Sequence, residues 1–405
     1  MTRILIQSNE AEALKKALES KIDPESLRLK RFLAMPDLSR APGNPINEIV
    51  NNILKQPNFK EFDVIEVPEI VPSKISFDLF DFPVDHPSRS RSDTYYIDDD
   101  NILRTHTTVM WYYYLKDEMV KARIAKKEAT GCFSFGKVYR KDEIDRKHMN
   151  VFHQMDGWYL VPKDQKIITT EDLKEVLASI ARAVFGLEVK YRFNKDTFPY
   201  TEPSLEMEVD TNSLSGPDGK AAEDPRFSGS DKVGRENRDK WIEVLGSGVV
   251  KGSVLDKLGV DSNIYNGWAF GFGLERLAIV SMDLPDIRLL WSNDERVKRQ
   301  LKLGNKFTEV SKFPQITRDI SFVVGKSFIP NNYFDLIRDI GGDLVEEVQL
   351  LDKYDNSEKF GADKVSYTYR IIYRSNERTL TTVEIDPIQA KIYKETKVQF
   401  EAELR

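Results

Sequence analysis

The chain has 405 residues and a formal net charge of −6, with 40% hydrophobic and 31% charged residues. That balance fits a folded protein of roughly two or three domains and excludes a disordered chain, a collagen-like chain and a small disulfide scaffold. Cys132 is the only cysteine, so no internal disulfide can form and a reducing compartment is expected. No apolar run approaches the ~18 residues that cross a bilayer, so no membrane partner is expected. The opening stretch, a short apolar patch followed by acids, fits neither a secretory nor an organellar leader, and no targeting segment is expected.

In chain order, residues 8–35 read as a charged helical lead-in, with Leu14, Leu18 and Ile22 spaced by four. Pro36 and the Pro42–Pro45 stretch end it, and Asn47–Leu54 resumes a helical pattern. Phe133–Arg140 and Val151–Leu160 are strand-like and flank a polar loop, Lys141–Asn150, which predicts an antiparallel pair. Glu171–Phe185 reads as a helix with Leu173, Val176, Leu177, Ile180 and Val184 on one face and Thr170 as N-cap. Residues 211–240, rich in Gly, Ser, Asp and Lys, read as an exposed excursion. Leu301–Val310 reads as a linker. Beyond it, strands at Ile320–Val324, Val345–Asp352 and Ser366–Tyr373 alternate with helices at Tyr333–Ile340 and Pro387–Ala402. That order predicts a ferredoxin-like α+β module.

Three segments carry chemistry. Period-two alternation puts Phe152, Gln154 and Asp156 on one strand face, near Arg140 and Asp142. A guanidinium grips phosphate or carboxylate oxygens, a ring can stack on a base, and a carboxylate can hold an ammonium. The bland reading, a half-exposed hairpin with ordinary charges, stands at even odds for this segment alone. In GWAFGFGLERLAIV, Gly271 and Gly273 precede a helical run whose first turn holds Arg276, so helix N-terminus and guanidinium converge. A tight packing turn is the commoner explanation of such glycines. Phe198-Pro199-Tyr200 forms a rigid aromatic corner followed by Glu202, which suits either a core wedge or an apolar pocket for an aromatic ligand. No HxxxH, CxxC, GxSxG or GxxxxGK[ST] pattern occurs, which disfavours a zinc site and a hydrolase elbow and excludes a P-loop.

Together these segments resemble the phenylalanyl-tRNA synthetases, class II aminoacyl-tRNA synthetases, in their single-chain, mitochondrial-type form. FDVIEVPEI resembles the family's first motif, VYRKDEIDRKHMNVFHQMDG its second and AFGFGLER its third. DHPSRSRSDTYYI, LRTHTT and DIRLLWSND resemble segments between and after them, and KFPQITRDISF with LVEEVQLLDKYD resembles the C-terminal part. The resemblance implies an α+β fold: a class II antiparallel sheet with flanking helices at 36–300 and a ferredoxin-like anticodon-binding domain at 311–405. The lead-in at 1–35 precedes them, and the linker at 301–310 joins them.

It also implies roles. Arg140 and Arg276 would be the catalytic cations, on the α-phosphate and the γ-phosphate of ATP. His148, Phe152, Glu243 and Gly273 would complete the ATP site, Phe152 stacking on adenine. Gln154 and Asp156 would hold the α-ammonium of L-phenylalanine, with His106 and Thr108 beside them. Phe198 and Tyr200 would clasp the phenyl ring, and Ala269 would set the pocket's depth. Glu202 and Glu243 are the candidate Mg2+ ligands. The implied partners are ATP, L-phenylalanine and tRNA(Phe), in the cytoplasm or the mitochondrial matrix, with a monomer favoured over a homodimer. Four residues depart from the family pattern: Thr108 for Ser, Trp111 for Gln, Asp156 for Glu and Tyr200 for Phe.

For tRNA, Lys121–Lys147 holds nine Lys or Arg against four acids. In the last domain Lys364, Arg370, Arg374 and Arg378 alternate with Tyr367, Tyr369 and Tyr373, a pattern suited to phosphate contact and base stacking. A solvated strand face is as good an account of any one of these. Two other readings stay open. A synthetase for a phosphorylated amino acid would want several cations where Phe198 and Tyr200 stand. An inactive tRNA-binding relative would have no need of Arg140, Phe152, Gln154 and Arg276 together.

Overall fold

The computed structural model describes residues 1–211, 241–308, 313–375 and 377–405. The excursion expected at 211–240, apart from Thr211, and the last two residues of the expected linker lie outside the described residues.

One sheet has eight strands. Strands β1 (Arg3–Leu5) and β2 (Asp63–Glu66) pair in parallel, and β2 pairs in parallel with β5. A small separate ribbon joins β3 (Ile70–Pro72) to β4 (Asn101–Leu103). From β5 (Thr130–Tyr139) onward the large sheet is antiparallel, with β6 (Val151–Pro162), β7 (Tyr191–Phe198), β8 (Thr201–Asp210), β9 (Trp241–Val250) and β10 (Tyr265–Gly273). Its order is β1-β2-β5-β6-β10-β9-β8-β7.

Alternation along the central strands decides what each face can do. On β10, Trp268, Phe270 and Phe272 point into a core shared with helices at Pro45–Leu54, Thr170–Phe185 and Leu274–Met282. The intervening Ala269, Gly271 and Gly273 face the other way, so one side of the sheet is aromatic and sealed while the other is nearly bare. A second core, holding Phe80, Trp111, Cys132, Trp158 and Ala269, closes part of that bare side.

The ends of the chain correct the expected boundaries. The lead-in is two helices, α1 (Asn9–Glu19) and α2 (Pro24–Ala34), capped by Ser8 and Asp23. Pro24 fits the first turn of α2, and Ile22 lies in the break, 84% exposed, instead of extending the stripe of Leu14 and Leu18. Helix Thr170–Phe185 is capped one residue earlier than expected, by Thr169 in a capping box with Asp172.

The C-terminal sheet runs β12-β13-β11-β14, from β11 (Ile316–Gly325), β12 (Val345–Tyr354), β13 (Lys364–Tyr373) and β14 (Glu403–Leu404). Its helices are Pro330–Gly341 and Thr382–Gln399. The second starts before Pro387 because Thr381 and Glu384 form a capping box, and the proline sits inside it. Strand β14 is too short to register as a pattern in the sequence; it completes the ferredoxin-like order. No helix among the described residues is long and apolar enough to cross a membrane.

Candidate active site

A cavity of about 1100 Å³ opens on the bare side of the large sheet. The register across its floor runs Ser134, Asp156, Gly271, Gly246, Glu206 on five neighbouring strands. Two glycines in this row are required by close approach. A Cβ on Gly271 would lie 2.7 Å from Asp156 Oδ1, and one on Gly246 would lie 2.5 Å from Phe198 Cζ. Their absence lets a carboxylate and a ring lean over the backbone from opposite sides.

Arg140 and Arg276 line this one cavity although they are far apart in the chain. Arg140 leaves the end of β5. Its Nε donates to Thr105 O at 2.9 Å, and its guanidinium carbon is 5.3 Å from the Phe152 ring centroid. Among the described residues no carboxylate forms an ion pair with it. Burial, the largest influence, works against its charge; nearby Asp142 works for it and Arg276 against it. Arg276 sits in the first turn of Leu274–Met282, with Nη1 3.3 Å from Glu243 O and 3.5 Å from Glu243 Oε2. Gly273, just before it, also lines the cavity. His148 lies in the loop after β5; Asp145 hydrogen-bonds its Nδ1 at 2.8 Å and raises its pKa. A guanidinium with no carboxylate partner, and a second whose one acidic partner, Glu243, sits at 3.5 Å, make a site for an anion.

The deeper end wants a cation. Asp156 is 5% exposed and accepts from Thr107 Oγ1 at 2.7 Å and Thr108 Oγ1 at 2.5 Å. Burial outweighs those hydroxyls and Arg140, raising its carboxyl to about 6. His106 Nε2 lies 3.1 Å from Ser76 O, an atom that can only accept, so the proton sits on Nε2 and Nδ1 presents a lone pair. Burial keeps this imidazole neutral, with a pKa of about 3. His106 Nδ1 and Gln154 Oε1 are buried atoms with no hydrogen-bond partner among the described residues. Two orphaned acceptors and a carboxylate around one cavity match the three donors of an ammonium group.

Beside them the walls are aromatic. Phe198 and Tyr200 lie 6.2 Å apart, and Tyr200 meets Phe80 and Trp111 edge-on at 5.8 and 5.9 Å. Trp111 stacks on Trp158 at 4.9 Å and 6°. Ala269, 4% exposed, is the small residue next to them. Sequence reading missed Thr107, Phe80, Trp158 and Gly246. For Thr107 a signal existed in its place beside His106 and Thr108; for the others nothing local reveals the neighbour.

The expected metal pair is not brought together. Glu243 lines the cavity and pairs in register with Glu208, whereas Glu202 is exposed and outside the lining. Six positions along a strand separate Glu202 from Glu208, ~20 Å at 3.3 Å per residue, so one ion cannot bind both glutamates. Among the described residues no three His, Cys, Asp or Glu cluster to hold a metal.

Comparison with known proteins fits this geometry. The profile for the tRNA synthetases class II core domain (F) matches residues 33–301, and that for the ferredoxin-fold anticodon binding domain matches 311–405. The chain is 38% identical to the phenylalanine–tRNA ligase, chloroplastic/mitochondrial, of Arabidopsis thaliana, over 86% of this chain and 73% of that one. It is 33% identical to the mitochondrial phenylalanine–tRNA ligase of Mus musculus, over 84% and 74%. It is 30% identical to that of Saccharomyces cerevisiae, over 95% and 90%. The chain belongs to the phenylalanine–tRNA ligase family.

In this family member the anticodon-binding domain corrects the expected base-stacking face. Tyr367, Tyr369 and Tyr373 are 5%, 1% and 0% exposed and form part of that domain's core. They point inward because β13 is an interior strand with helices over one face, so they have no surface for a base. The four cations of the same segment all meet acids. Lys364 pairs with Glu403, Arg370 with Asp319 through two bonds of 2.8 Å, Arg374 with Glu346 at 3.0 Å and Arg378 with Glu384 at 2.5 Å.

Proposed function

We propose that the chain attaches L-phenylalanine to tRNA(Phe) at the expense of ATP, through phenylalanyl-adenylate. One observation carries this reading: a buried carboxylate with orphaned acceptors lies beside an aromatic clasp, in a cavity that also holds two guanidiniums, one of them without a carboxylate partner. Asp156, Gln154, His106 and Thr108 would orient the amino acid by its ammonium, with its ring against the edges of Phe198 and Tyr200 and against Ala269. Phe152 would support the adenine. A carboxylate oxygen of phenylalanine attacks the α-phosphorus, and the bond to pyrophosphate breaks. Arg140 offsets charge developing at the α-phosphate; Arg276 and His148 steady the departing pyrophosphate. A hydroxyl of the tRNA 3′-terminal ribose then attacks the adenylate carbonyl, and AMP leaves with the bonding electrons while the hydroxyl proton passes to solvent. No side-chain nucleophile takes part, so positioning and electrostatics carry the rate.

Mg2+ would reach the site on the phosphates of ATP, with Glu243 as the protein carboxylate nearest the Arg276 end, and would supply further charge neutralisation. Lys364, Arg370 and Arg378 would meet tRNA phosphates only by exchanging their acidic partners. Arg374 is held further by Phe313 O and Gln315 Oε1 at 2.8 and 3.1 Å, and would contribute least. The enzyme would act as a monomer, with a homodimer as the alternative, in the cytoplasm or the mitochondrial matrix, where Cys132 stays reduced.

Amino-acid-dependent ATP–pyrophosphate exchange across a panel of amino acids tests the reading. Phenylalanine should drive exchange at least about 100-fold better than tyrosine, the moderate discrimination that an apolar pocket achieves against a hydroxyl. Exchange driven by another amino acid, or none, refutes the assignment.

A further inference from the structure

The loop 141–150 follows Arg140 and carries His148, yet much of what holds it comes from the anticodon-binding domain. Asn331 Nδ2 donates to Lys141 O at 2.6 Å. Arg338 donates from Nη1 to Asp142 O at 3.2 Å and from Nη2 to Glu143 O at 2.6 Å. Ile144 is 4% exposed and packs in the core of the C-terminal domain, and its carbonyl accepts from Val348 N at 3.1 Å. Arg146 pairs with Glu346 at 2.6 Å, and Asn150 Nδ2 donates to Asp335 Oδ1 at 3.0 Å. Asn331 also lines the cavity itself.

Within its own domain the loop is anchored mostly at its two ends, where Asn150 also donates from Nδ2 to Tyr95 Oη at 2.7 Å and accepts at its carbonyl from Arg140 N at 3.0 Å. Lys141 N donates to Asp93 O at 2.9 Å, Lys141 Nζ to Arg91 O at 2.8 Å, and Ile287 N to Arg146 O at 2.8 Å. The Asp145–His148 contacts are local to the loop. A polar loop has little apolar surface to offset the entropy of ordering, so outside contacts decide its shape. The planar fork of Arg338 spans two successive carbonyls, which a lysine cannot reproduce.

We propose that the helix Pro330–Gly341 is a positioning element for amino-acid activation: Arg338 and Asn331 set the loop 141–150 so that Arg140 and His148 meet the triphosphate. This rests on the function proposed above. It makes the first half-reaction, which involves no tRNA, depend on the domain assigned to the anticodon.

The test uses full-length Arg338→Lys and Asn331→Ala in phenylalanine-dependent exchange without tRNA. Asp339→Ala is the control, because Asp339, on the same helix as Arg338, pairs with Arg28 and Arg31 of α2, and among the described residues no hydrogen bond or ion pair joins it to the loop. Both test variants should raise KM for ATP about five- to tenfold, with KM for phenylalanine within about twofold and the control near wild type. Amide hydrogen exchange over 141–150 should quicken in the test variants alone. A lowered melting temperature with unchanged KM for ATP and unchanged loop protection would mean a merely structural role and overturn the proposal. So would a control that raises KM for ATP as much as Arg338→Lys does. Faster loop exchange in a protein without phenylalanine-dependent activity would refute the functional reading instead, while keeping the positioning of the loop.

Discussion

On the large sheet Arg140 lies over a ring and hydrogen-bonds a carbonyl, and Gln154 and His106, in the cavity lining, each carry a buried acceptor with no partner among the described residues. On the C-terminal sheet Lys364, Arg370, Arg374 and Arg378 each face an acid, and the tyrosines between them are core. Both regions read as cations interleaved with aromatic residues in the sequence. They differ in where the unmatched groups lie: Gln154 and His106 line a cavity, whereas the unpartnered hydroxyl of Tyr369 is shut in the core of its domain. Unfilled hydrogen-bonding capacity inside a cavity marks a ligand's place, because a buried polar group without a partner destabilises the fold unless something arrives to meet it.

The contrast breaks most sharply at arginine. Arg140→Ala should lower exchange by about 100-fold, the ~3 kcal/mol of a preorganised donor, while Arg370→Ala should leave exchange within about twofold. Equal effects would erase the distinction between the two sheets.

Asp156 sharpens it next. Its carboxyl must be ionised to hold an ammonium, and its pKa is raised to about 6. KM for phenylalanine should therefore climb as pH falls through 6, and Asp156→Asn should raise it roughly 50-fold and remove the acid limb. Stability should move oppositely. The folded state keeps the proton that the unfolded chain releases near 3.8, so this group contributes stability fully present below 3.8 and lost as pH rises through about 6. The difference is about 3 kcal/mol, and Asp156→Asn should melt higher than wild type at pH 8, as calorimetry would show.

A smaller effect tests the floor. Gly246→Ala should push the Phe198 ring into the pocket and raise KM for phenylalanine about tenfold, and adding Phe198→Leu should recover part of it. The smallest concerns tRNA. Arg370 is an exposed, paired cation, so Arg370→Ala should weaken tRNA binding by less than about threefold in a filter assay, and affinity should fall as salt rises.

The sequence made much of this legible. Alternation placed Phe152, Gln154 and Asp156 on one face, glycine spacing preceded Arg276, and the order of elements implied the two-part fold. What stayed hidden was long-range. Period two says which residues share a face, not which face looks inward, so Tyr367 and Phe152 could not be told apart. Register between strands is invisible too; this is why Glu202 and Glu243 seemed a pair, and why the acids opposite Arg370 and Arg374 went unseen. The loop Lys141–Asn150 read as simply polar, and nothing local shows that its Ile144 packs in the core of the other domain.

Cys132 lies on β5 in the second core, on the same face of the sheet as the cavity, fully buried, with burial first and then Asp63 and Asp156 pushing its thiol well above the usual range. The chain thus carries a single built-in gauge. An alkylating reagent can reach that sulfur only when the core over this face of the sheet opens, so its labelling rate reads the loosening of the layer that walls the site, and bound phenylalanine with ATP should slow it.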